Sequence, residues 1–311
     1  MADNFPRSNQ LPMDKHHLLA EEAIGKRKGR IGHTFRSAFR HIKLAWKLHP
    51  LDKEMSLFRA ITGEEEAASG LMLALIQQRY PGANKLKPRD HAHKAAVSPY
   101  LDAVNNLMAS VPVPTPKLSL SMGHPPSLSI SIDLQALGIS NEPKIATPDN
   151  PFNFTLRRAG DETIYFFEKE LREIANFRGA ADIKAAISDR ANLRNRLLYA
   201  SDRGIPEVEF PDAALLQYRD RIYRLCLLTI GILQTKQHQL FAAQNLEAFL
   251  SVLGQTIEAG IDYSQAAPDG QFISFVQQPD GNFHTGVGYR GKINFHARFE
   301  QVWTIGIHSR S

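Results

Sequence analysis

The sequence predicts a mainly helical α+β protein, and three observations support this fold class. Apolar residues recur at intervals of three and four over most of residues 14–108 and 159–263, which is the spacing of amphipathic helices. Residues 117–134 instead alternate apolar side chains with serines on both sides of a Gly-His-Pro-Pro turn, which is typical of a β-hairpin. The residues from 271 onward alternate in a similar way around a Pro-Asp-Gly-Asn turn, which indicates further strands.

These changes of pattern divide the chain into four segments. Residues 111–151 hold eight of the 18 prolines, which marks a sharp change in composition. Because an isolated hairpin is only marginally stable, we expect the hairpin and the C-terminal strands to share one small sheet. The predicted segments are an N-terminal helical bundle (1–110), a Pro-rich segment with an inserted β-hairpin (111–158), a second helical section (159–263) and a small C-terminal antiparallel sheet (264–311).

Four helices are predicted in the N-terminal bundle. The first follows Asp14, a candidate N-cap, and ends near residue 26. The second covers about residues 32–48 and is ended by Pro50. The third contains Gly63-Glu-Glu-Glu-Ala67 and ends near residue 80, and the fourth runs from about residue 90 to residue 108.

The second helical section is predicted to contain helices over 161–177, 180–199 and 211–260. The polar stretch 235–239 interrupts the last of these, so two helices and one bent helix are both compatible with the pattern.

Cysteine content and hydropathy narrow the class of protein. Cys226 is the one cysteine, so no internal disulfide can form, and we expect a reducing cytoplasm. The N-terminus has no apolar run typical of a secretory signal. The longest apolar stretch, 225–233, is far shorter than the roughly 20 residues that a membrane span needs. We therefore expect a cytoplasmic protein without a membrane partner.

No motif predicts a cofactor or a metal. The sequence contains no Walker loop and no Gly-x-Ser-x-Gly elbow, and its nearest approach to a dinucleotide fingerprint, at 286–291, lies between predicted strands. His284, His296 and His308 recur every twelve residues, but their register is open and no cysteine accompanies them. We expect no metal site, and whether these three histidines converge is left open.

One basic segment dominates the charge of the chain. The formal net charge is +5, whereas residues 26–47 alone carry eight Lys or Arg and no Asp or Glu. On the second helix the last four of these form a stripe beside an apolar stripe that contains Phe35 and Trp46. A solvated helix flank, a contact with RNA or another polyanion, and an acidic protein partner are the alternatives. The candidate anion-binding residues are Lys26, Arg27, Lys28, Arg30, Arg36, Arg40, Lys43 and Lys47.

The Glu cluster of the third helix places carboxylates on a buried face. Glu65 falls on the apolar stripe that includes Ile61, and Glu64 borders it. A buried carboxylate is costly unless it is paired or protonated. If the second and third helices form an antiparallel pair about the turn that joins them, Arg36 and Arg40 lie within a turn of Glu65. We therefore predict that Glu64 or Glu65 forms a structural charged pair with one of these arginines.

The start of the fourth helix carries the candidate catalytic residues Arg89, Asp90 and His93. His93 begins the apolar stripe of this helix, so its ring is predicted to point inward. Hairpin geometry places His93 opposite residue 76, roughly 16 Å along the third helix from Glu65, so a direct pair is not expected. A lone capping or core histidine is the alternative to a catalytic one.

The N-terminal region has four predicted helices, with the Gly-Glu-Glu-Glu-Ala cluster on the third and Arg-Asp-His-Ala-His-Lys at the start of the fourth. In these features, residues 14–108 resemble HEPN-type helical domains, in particular those of bacterial abortive-infection proteins. The resemblance implies a four-helix unit that is often dimeric. Many members of the family cleave RNA without a metal, and others are inactive or antitoxin-like. In that chemistry Arg89 would stabilise the phosphate, His93 would act as general acid or base and Asp90 would assist. Three residues separate Arg89 from His93, one fewer than in the motif of the family.

The sequence-based hypothesis is therefore a HEPN-like bacterial defence or toxin-type protein that binds or cleaves RNA. Whether it is an endoribonuclease is left open, and the expected partners are RNA or another polyanion together with a second copy of the chain or a partner protein. The alternative is a non-catalytic interaction subunit of a multi-protein assembly, in which the Glu cluster is structural. A DNA-binding regulator is a third option, although no helix-turn-helix is evident.

Overall fold

The structure is a computed structural model of the 311-residue chain. It describes residues 10–110, 117–123, 125–133, 135, 143, 145–147, 150–152, 154–158, 188, 192–193, 196–197, 211–255, 270–277, 283–290 and 303–304.

Within the described part of the chain the fold is mainly helical with two small sheets, which confirms the predicted α+β class. The predicted helices over 161–177 and 180–199 lie almost wholly outside the described residues. None of the described helices combines the length and apolar character that crossing a membrane requires. The helices are α1 (Lys15–Gly25), α2 (Gly29–Leu48), α3 (Lys53–Gln77), α4 (His91–Ser110), α5 (Pro211–Leu233) and α6 (Leu240–Val252).

The chain divides into two compact units, and each draws on early and late parts of the sequence. The first unit takes its described residues from Met1–Ala74, Lys87–Ser98 and Ala185–Thr229. The second takes its described residues from Leu75–Leu86, Pro99–Lys184 and Ile230–Ser311. The division into four contiguous segments stays a prediction.

Helix α1 begins where the sequence predicts, because Asp14 caps it. The Asp14 carboxylate accepts the backbone N–H groups of His16 at 2.8 Å and His17 at 2.9 Å. The His17 ring accepts the backbone N–H of Asp14 at 3.2 Å in return, which completes a capping box.

Helices α2 and α3 form a close antiparallel pair in the predicted register. The Ser56 hydroxyl donates to the Ala45 carbonyl at 2.7 Å. A Cβ atom built on Gly63 would lie 3.0 Å from the Ala38 carbonyl oxygen, so the two backbones approach closely at this level. The face of α3 turned to α2 is a stripe of small buried residues, namely Ser56, Ala60, Gly63, Ala67 and Gly70.

Helix α5 completes the core of the first unit. The Tyr223 ring stacks on Phe39 with ring centroids 5.0 Å apart and meets the His17 ring edge-on at 4.6 Å. The Cys226 thiol lies 3.5 Å from the Ala20 carbonyl oxygen, and burial raises the pKa of this thiol well above its ordinary value. These contacts bring α1, α2 and α5 together around one aromatic cluster.

In the second unit, the buried Gln239 ties together the start of α6 and its surroundings. Its amide donates to the Gly231 carbonyl at 2.7 Å and accepts the Phe152 N–H at 2.8 Å. Its backbone N–H donates to the Tyr80 hydroxyl at 3.0 Å, and burial raises the pKa of Tyr80 to about 12. The polar stretch that contains Gln239 separates α5 from α6, so the structure has two helices here.

The strands are β1 (Lys117–Ser121), β2 (Ser127–Asp133), β3 (Ile145–Ala146), β4 (Phe154–Arg158), β5 (Gly270–Gln277), β6 (Phe283–Arg290) and β7 (Trp303–Thr304). They form two sheets, so the prediction of one shared sheet is wrong. The hairpin is confirmed, with Leu120 opposite Leu128 in an antiparallel register, and its third strand comes from the nearby chain at β3. The four-stranded sheet has the order β4-β5-β6-β7 and takes β4 in parallel with β5. A local third strand needs a shorter closing loop than a C-terminal strand would.

Candidate nucleic-acid interface

A groove of about 500 Å³ runs between α1 and α2, and the predicted cationic stripe lines it. Its cationic side chains lie at intervals of four, three and four residues along α2, so they span roughly 16 Å of the helix. We call this surface the basic groove. It is lined by Glu21, Gly25, Arg36, Phe39, Arg40, Lys43, Leu44 and Lys47.

Two of the four cations are held in place by α1. The Arg36 guanidinium donates to the carbonyl oxygens of Gly25 at 2.7 Å and Arg27 at 3.0 Å, at the C-terminal end of α1. Lys43 contacts both carboxylate oxygens of Glu21, at 2.5 and 2.8 Å. Glu21 also accepts the Tyr223 hydroxyl at 3.1 Å, so the one acid in the groove is already committed.

The other two cations, Arg40 and Lys47, project into solvent. Among the described residues, neither makes a hydrogen bond or an ion pair. The groove therefore presents four cations against one carboxylate, and two of the cations are available to a ligand.

The remaining members of the predicted basic face lie outside the groove. Lys26 is bonded to Glu22 at 2.6 Å, one turn earlier on α1. Arg27 is half-buried, and its burial lowers its pKa. Lys28 and Arg30 are exposed at the start of α2. The structure thus brings together the four stripe residues of α2 and leaves the Lys26–Arg30 run at one end of them.

The Glu cluster is buried, but its partners differ from those predicted. Glu65, with a side chain 5% exposed, lies 2.9 Å from the His91 ring nitrogen Nδ1 and 3.2 Å from the Lys94 ammonium. For Glu65 the predicted pairing with Arg36 or Arg40 is wrong, since its partners are His91 and Lys94 and Arg36 is bonded to carbonyls. The same pairing for Glu64 stays a prediction. Glu65 therefore ties α3 to the first turn of α4.

Two features of the chain explain this difference. Gly63 occupies the face of α3 that meets α2, and Glu65, two residues later, is rotated by about 200° from it. The connection after α3 turns through the left-handed residues Arg79 and Gly82 and returns Pro88 to the level of Ser69, whose hydroxyl donates to the Pro88 carbonyl at 2.8 Å. Helix α4 therefore starts near Glu65, and its predicted start opposite residue 76 is wrong.

A cavity of about 10 Å³ adjoins this cluster, which is space for one water molecule. Glu64, Glu65 and Lys94 line it together with Tyr218. On the solvent side, burial raises the pKa of Glu66, and the nearby Lys94 partly offsets this effect. The cavity is too small for a substrate, and the structural role of the Glu cluster stays a prediction.

Arg89, Asp90 and His93 lie at the start of α4, where Asp90 and His93 make local contacts. The Asp90 carboxylate accepts the His93 N–H at 3.0 Å as an N-cap, and this hydrogen bond lowers the pKa of Asp90. The His93 ring is 6% exposed and accepts the Lys87 N–H at 3.3 Å, and its burial lowers its pKa. Arg89 is exposed. A catalytic role for these three residues stays a prediction.

Sequence reasoning missed His91 and Lys94 as partners of Glu65. Their spacing of three residues puts them on one face of α4, which was the available signal. It also missed the small-residue stripe of α3, whose spacing is visible in the sequence.

Of the three histidines in the C-terminal strands, one lies among the described residues. His284 lies on β6 opposite Thr304, whereas His296 and His308 lie outside the described residues. In the part of the chain that is described, no three His, Cys, Asp or Glu side chains are placed to hold a metal.

The chain matches no family model, and comparison with curated proteins and with solved structures finds no match.

Proposed function

We propose that this chain is an RNA-binding protein that holds the phosphate backbone in the basic groove. The observation that carries this proposal is the convergence of four cations on one groove whose single carboxylate, Glu21, is committed to Lys43 and Tyr223. A cytoplasmic, HEPN-like defence or toxin-type role is part of the proposal.

The geometry of the groove favours contacts with phosphates over contacts with bases. Arg36 and Lys43 are held by α1, so they lose little freedom on binding, while Arg40 and Lys47 are free to meet a phosphate. Phe39, the aromatic residue of the groove, is 2% exposed and stacks on Tyr223, so it offers no platform for a base. Binding is therefore expected to be salt-dependent and tolerant of sequence.

The contacts at the start of α4 support binding over cleavage. A general base must reach the 2′-hydroxyl of RNA, and the His93 ring is buried with one nitrogen engaged by a backbone N–H. Metal-independent cleavage that Arg89→Ala abolishes would instead establish the endoribonuclease function.

A non-catalytic interaction subunit is the second candidate, and the contacts of Glu65 support its premise that the Glu cluster is structural. In that case the basic groove would meet an acidic protein surface or a second copy of the chain. Light scattering of the purified protein, alone and with an acidic polyglutamate peptide, separates this candidate from RNA binding.

The RNA-binding proposal is tested with Arg40→Gln/Lys47→Gln, which removes the two available cations. A variant that contacts two fewer phosphates releases fewer counterions when it binds RNA. We therefore expect the affinity for a fluorescent oligouridine to fall about 10- to 50-fold. The salt slope, which is the change of log K with the logarithm of the salt concentration, should fall in magnitude by about 1.4. Fluorescence anisotropy over a range of salt concentrations measures both quantities.

Lys117→Gln is the control for this experiment, because it removes an exposed cation from β1. We expect it to change the affinity less than twofold. Equal losses of RNA affinity in Lys117→Gln and in Arg40→Gln alone would show that binding depends on net charge, which contradicts a specific site in the groove.

A further inference from the structure

A second pair of basic side chains lies at the seam between α2 and α3. Arg59 precedes Gly63 by one turn of α3, on the same face. A Cβ atom built on Gly63 would lie 3.2 Å from the Cβ atom of His41, so this face of α3 meets α2 at His41. Arg59 and His41 are close enough for the arginine to lower the pKa of the histidine, after the larger effect of burial.

Neither side chain has a hydrogen-bond or ion-pair partner among the residues that the structure describes. The Nδ1 atom of His41 and the Nε atom of Arg59 are both buried and make no hydrogen bond, and no carboxylate among the described residues pairs with either group. A buried polar atom without a partner is costly, and the positive charge of Arg59 disfavours the protonated form of His41. An oxyanion would satisfy both requirements at once.

We propose that His41 and Arg59 form a second oxyanion subsite, here called the seam subsite, which takes a phosphate group of the RNA bound in the basic groove. This inference rests on the proposed function. Arg40 connects the basic groove with the seam subsite, because it lines the groove and its charge also lowers the pKa of His41. The guanidinium of Arg59 and the protonated ring of His41 would donate to the phosphate oxygens.

The charges around His41 give the subsite a pH dependence. Arg40 on its own helix and Arg59 on α3 face it, and both lower its pKa, while α5 contributes the apolar Ile222 next to Gly63. A bound anion has the opposite effect to these two arginines, because its negative charge favours the protonated ring of His41 and raises its pKa. Binding of RNA is therefore expected to tighten as pH falls through the titration of His41.

The test compares Arg59→Gln with Lys53→Gln, which removes an exposed charge from the first turn of the same helix. We expect Arg59→Gln to weaken oligouridine binding about fivefold and to lower the salt slope by about 0.7, while Lys53→Gln changes the affinity less than twofold. His41→Asn should remove the part of the pH dependence that the unmutated protein shows below pH 7. Circular dichroism confirms that each variant is folded.

Equal affinities and pH profiles for Arg59→Gln and Lys53→Gln would overturn the seam subsite. A loss of RNA affinity in the Arg40→Gln/Lys47→Gln protein would still support the basic groove as the RNA-binding site in that case. If the unmutated protein binds no RNA, the proposed function fails, and the subsite is decided with inorganic phosphate. A phosphate-dependent shift of the His41 ring resonances that Arg59→Gln abolishes would support the subsite, and no shift would overturn it.

Discussion

Two fully buried glutamines near α6 differ in whether their amides are satisfied. Gln239 donates to Gly231 and accepts from Phe152, whereas neither amide atom of Gln244 has a hydrogen-bond partner in the described part of the chain. A buried amide without partners loses its hydration and gains nothing in return. The same residue type thus stabilises one position and destabilises the other.

We predict opposite effects of replacing these glutamines by methionine. Gln244→Met should raise the free energy of unfolding by about 1 to 2 kcal/mol, because the unsatisfied amide is removed at nearly constant volume. Gln239→Met should lower it by about 2 to 4 kcal/mol, because two buried backbone groups lose their partners. Urea denaturation followed by circular dichroism measures both, and a loss of stability in Gln244→Met would contradict the first prediction.

Glu65 shows how a single buried charge depends on its partner. Its ion pair with Lys94 is almost wholly removed from solvent, since the two side chains are 5% and 9% exposed. Removing one partner leaves the other charge buried and alone, which costs more than the pair itself contributes.

We therefore predict that Glu65→Gln lowers the free energy of unfolding by about 3 kcal/mol or more. His91→Ala is the control, because the His91 side chain is 45% exposed and its loss should cost less than about 1 kcal/mol. The second substitution in Glu65→Gln/Lys94→Met should recover part of the stability. Chemical denaturation measures each variant, and equal effects of the two single substitutions would contradict the buried-pair interpretation.

At the scale of elements, the α2–α3 pair depends on the absence of side chains at its seam. A Cβ atom on Gly70 would lie 2.5 Å from the Phe35 ring and 2.8 Å from the Thr34 hydroxyl oxygen. Both neighbours are buried, so they have little room to move.

Gly70→Ala should therefore destabilise the protein by about 1 to 3 kcal/mol through overpacking, despite the better helix propensity of alanine. Gly25→Ala, at the end of α1, is the matched control because no atom lies within 4 Å of its added Cβ. We expect it to be neutral or to stabilise by about 0.5 kcal/mol. Thermal unfolding compares the two, and a neutral Gly70→Ala would show that the helices can move apart without cost.

The seam also determines which side chains are available for function. Small residues of α3 fill it, Phe39 of α2 stacks on Tyr223 of α5, and the cationic stripe is left beside α1. The position of the basic groove is thus a consequence of helix packing as much as of charge pattern.

At the scale of the whole molecule, the reactivity of the single cysteine, Cys226, measures how often the first unit opens. Cys226 is fully buried, and burial raises the pKa of its thiol, so little thiolate is present or accessible in the folded protein. Its reaction with a thiol reagent requires α5 to separate from α1.

We predict that Ellman's reagent at pH 8 modifies Cys226 at least about 100-fold more slowly in the folded protein than in the urea-unfolded chain. The rate should rise in Gly70→Ala about tenfold for each 1.4 kcal/mol of stability lost, because it follows the equilibrium constant of opening, and Cys226→Ser should not react. Rapid modification of the folded, unmutated protein would contradict the buried position of α5.

The sequence by itself determined the local structure of the described helices and of the hairpin. Asp14 as a cap, the register of α2 with α3 and the pairing of β1 with β2 all follow from short-range spacing, capping and turn residues. The cationic stripe of α2 is equally local, because residues three and four apart share a helix face.

The tertiary structure alone decided how these elements meet. It turned Glu65 away from the arginines of α2, returned α4 to the level of Ser69 and divided the strands between two sheets. It also separated the cations of the groove into two that are already bonded and two that are available. These outcomes depend on contacts between residues distant in sequence, whose geometry no local periodicity encodes.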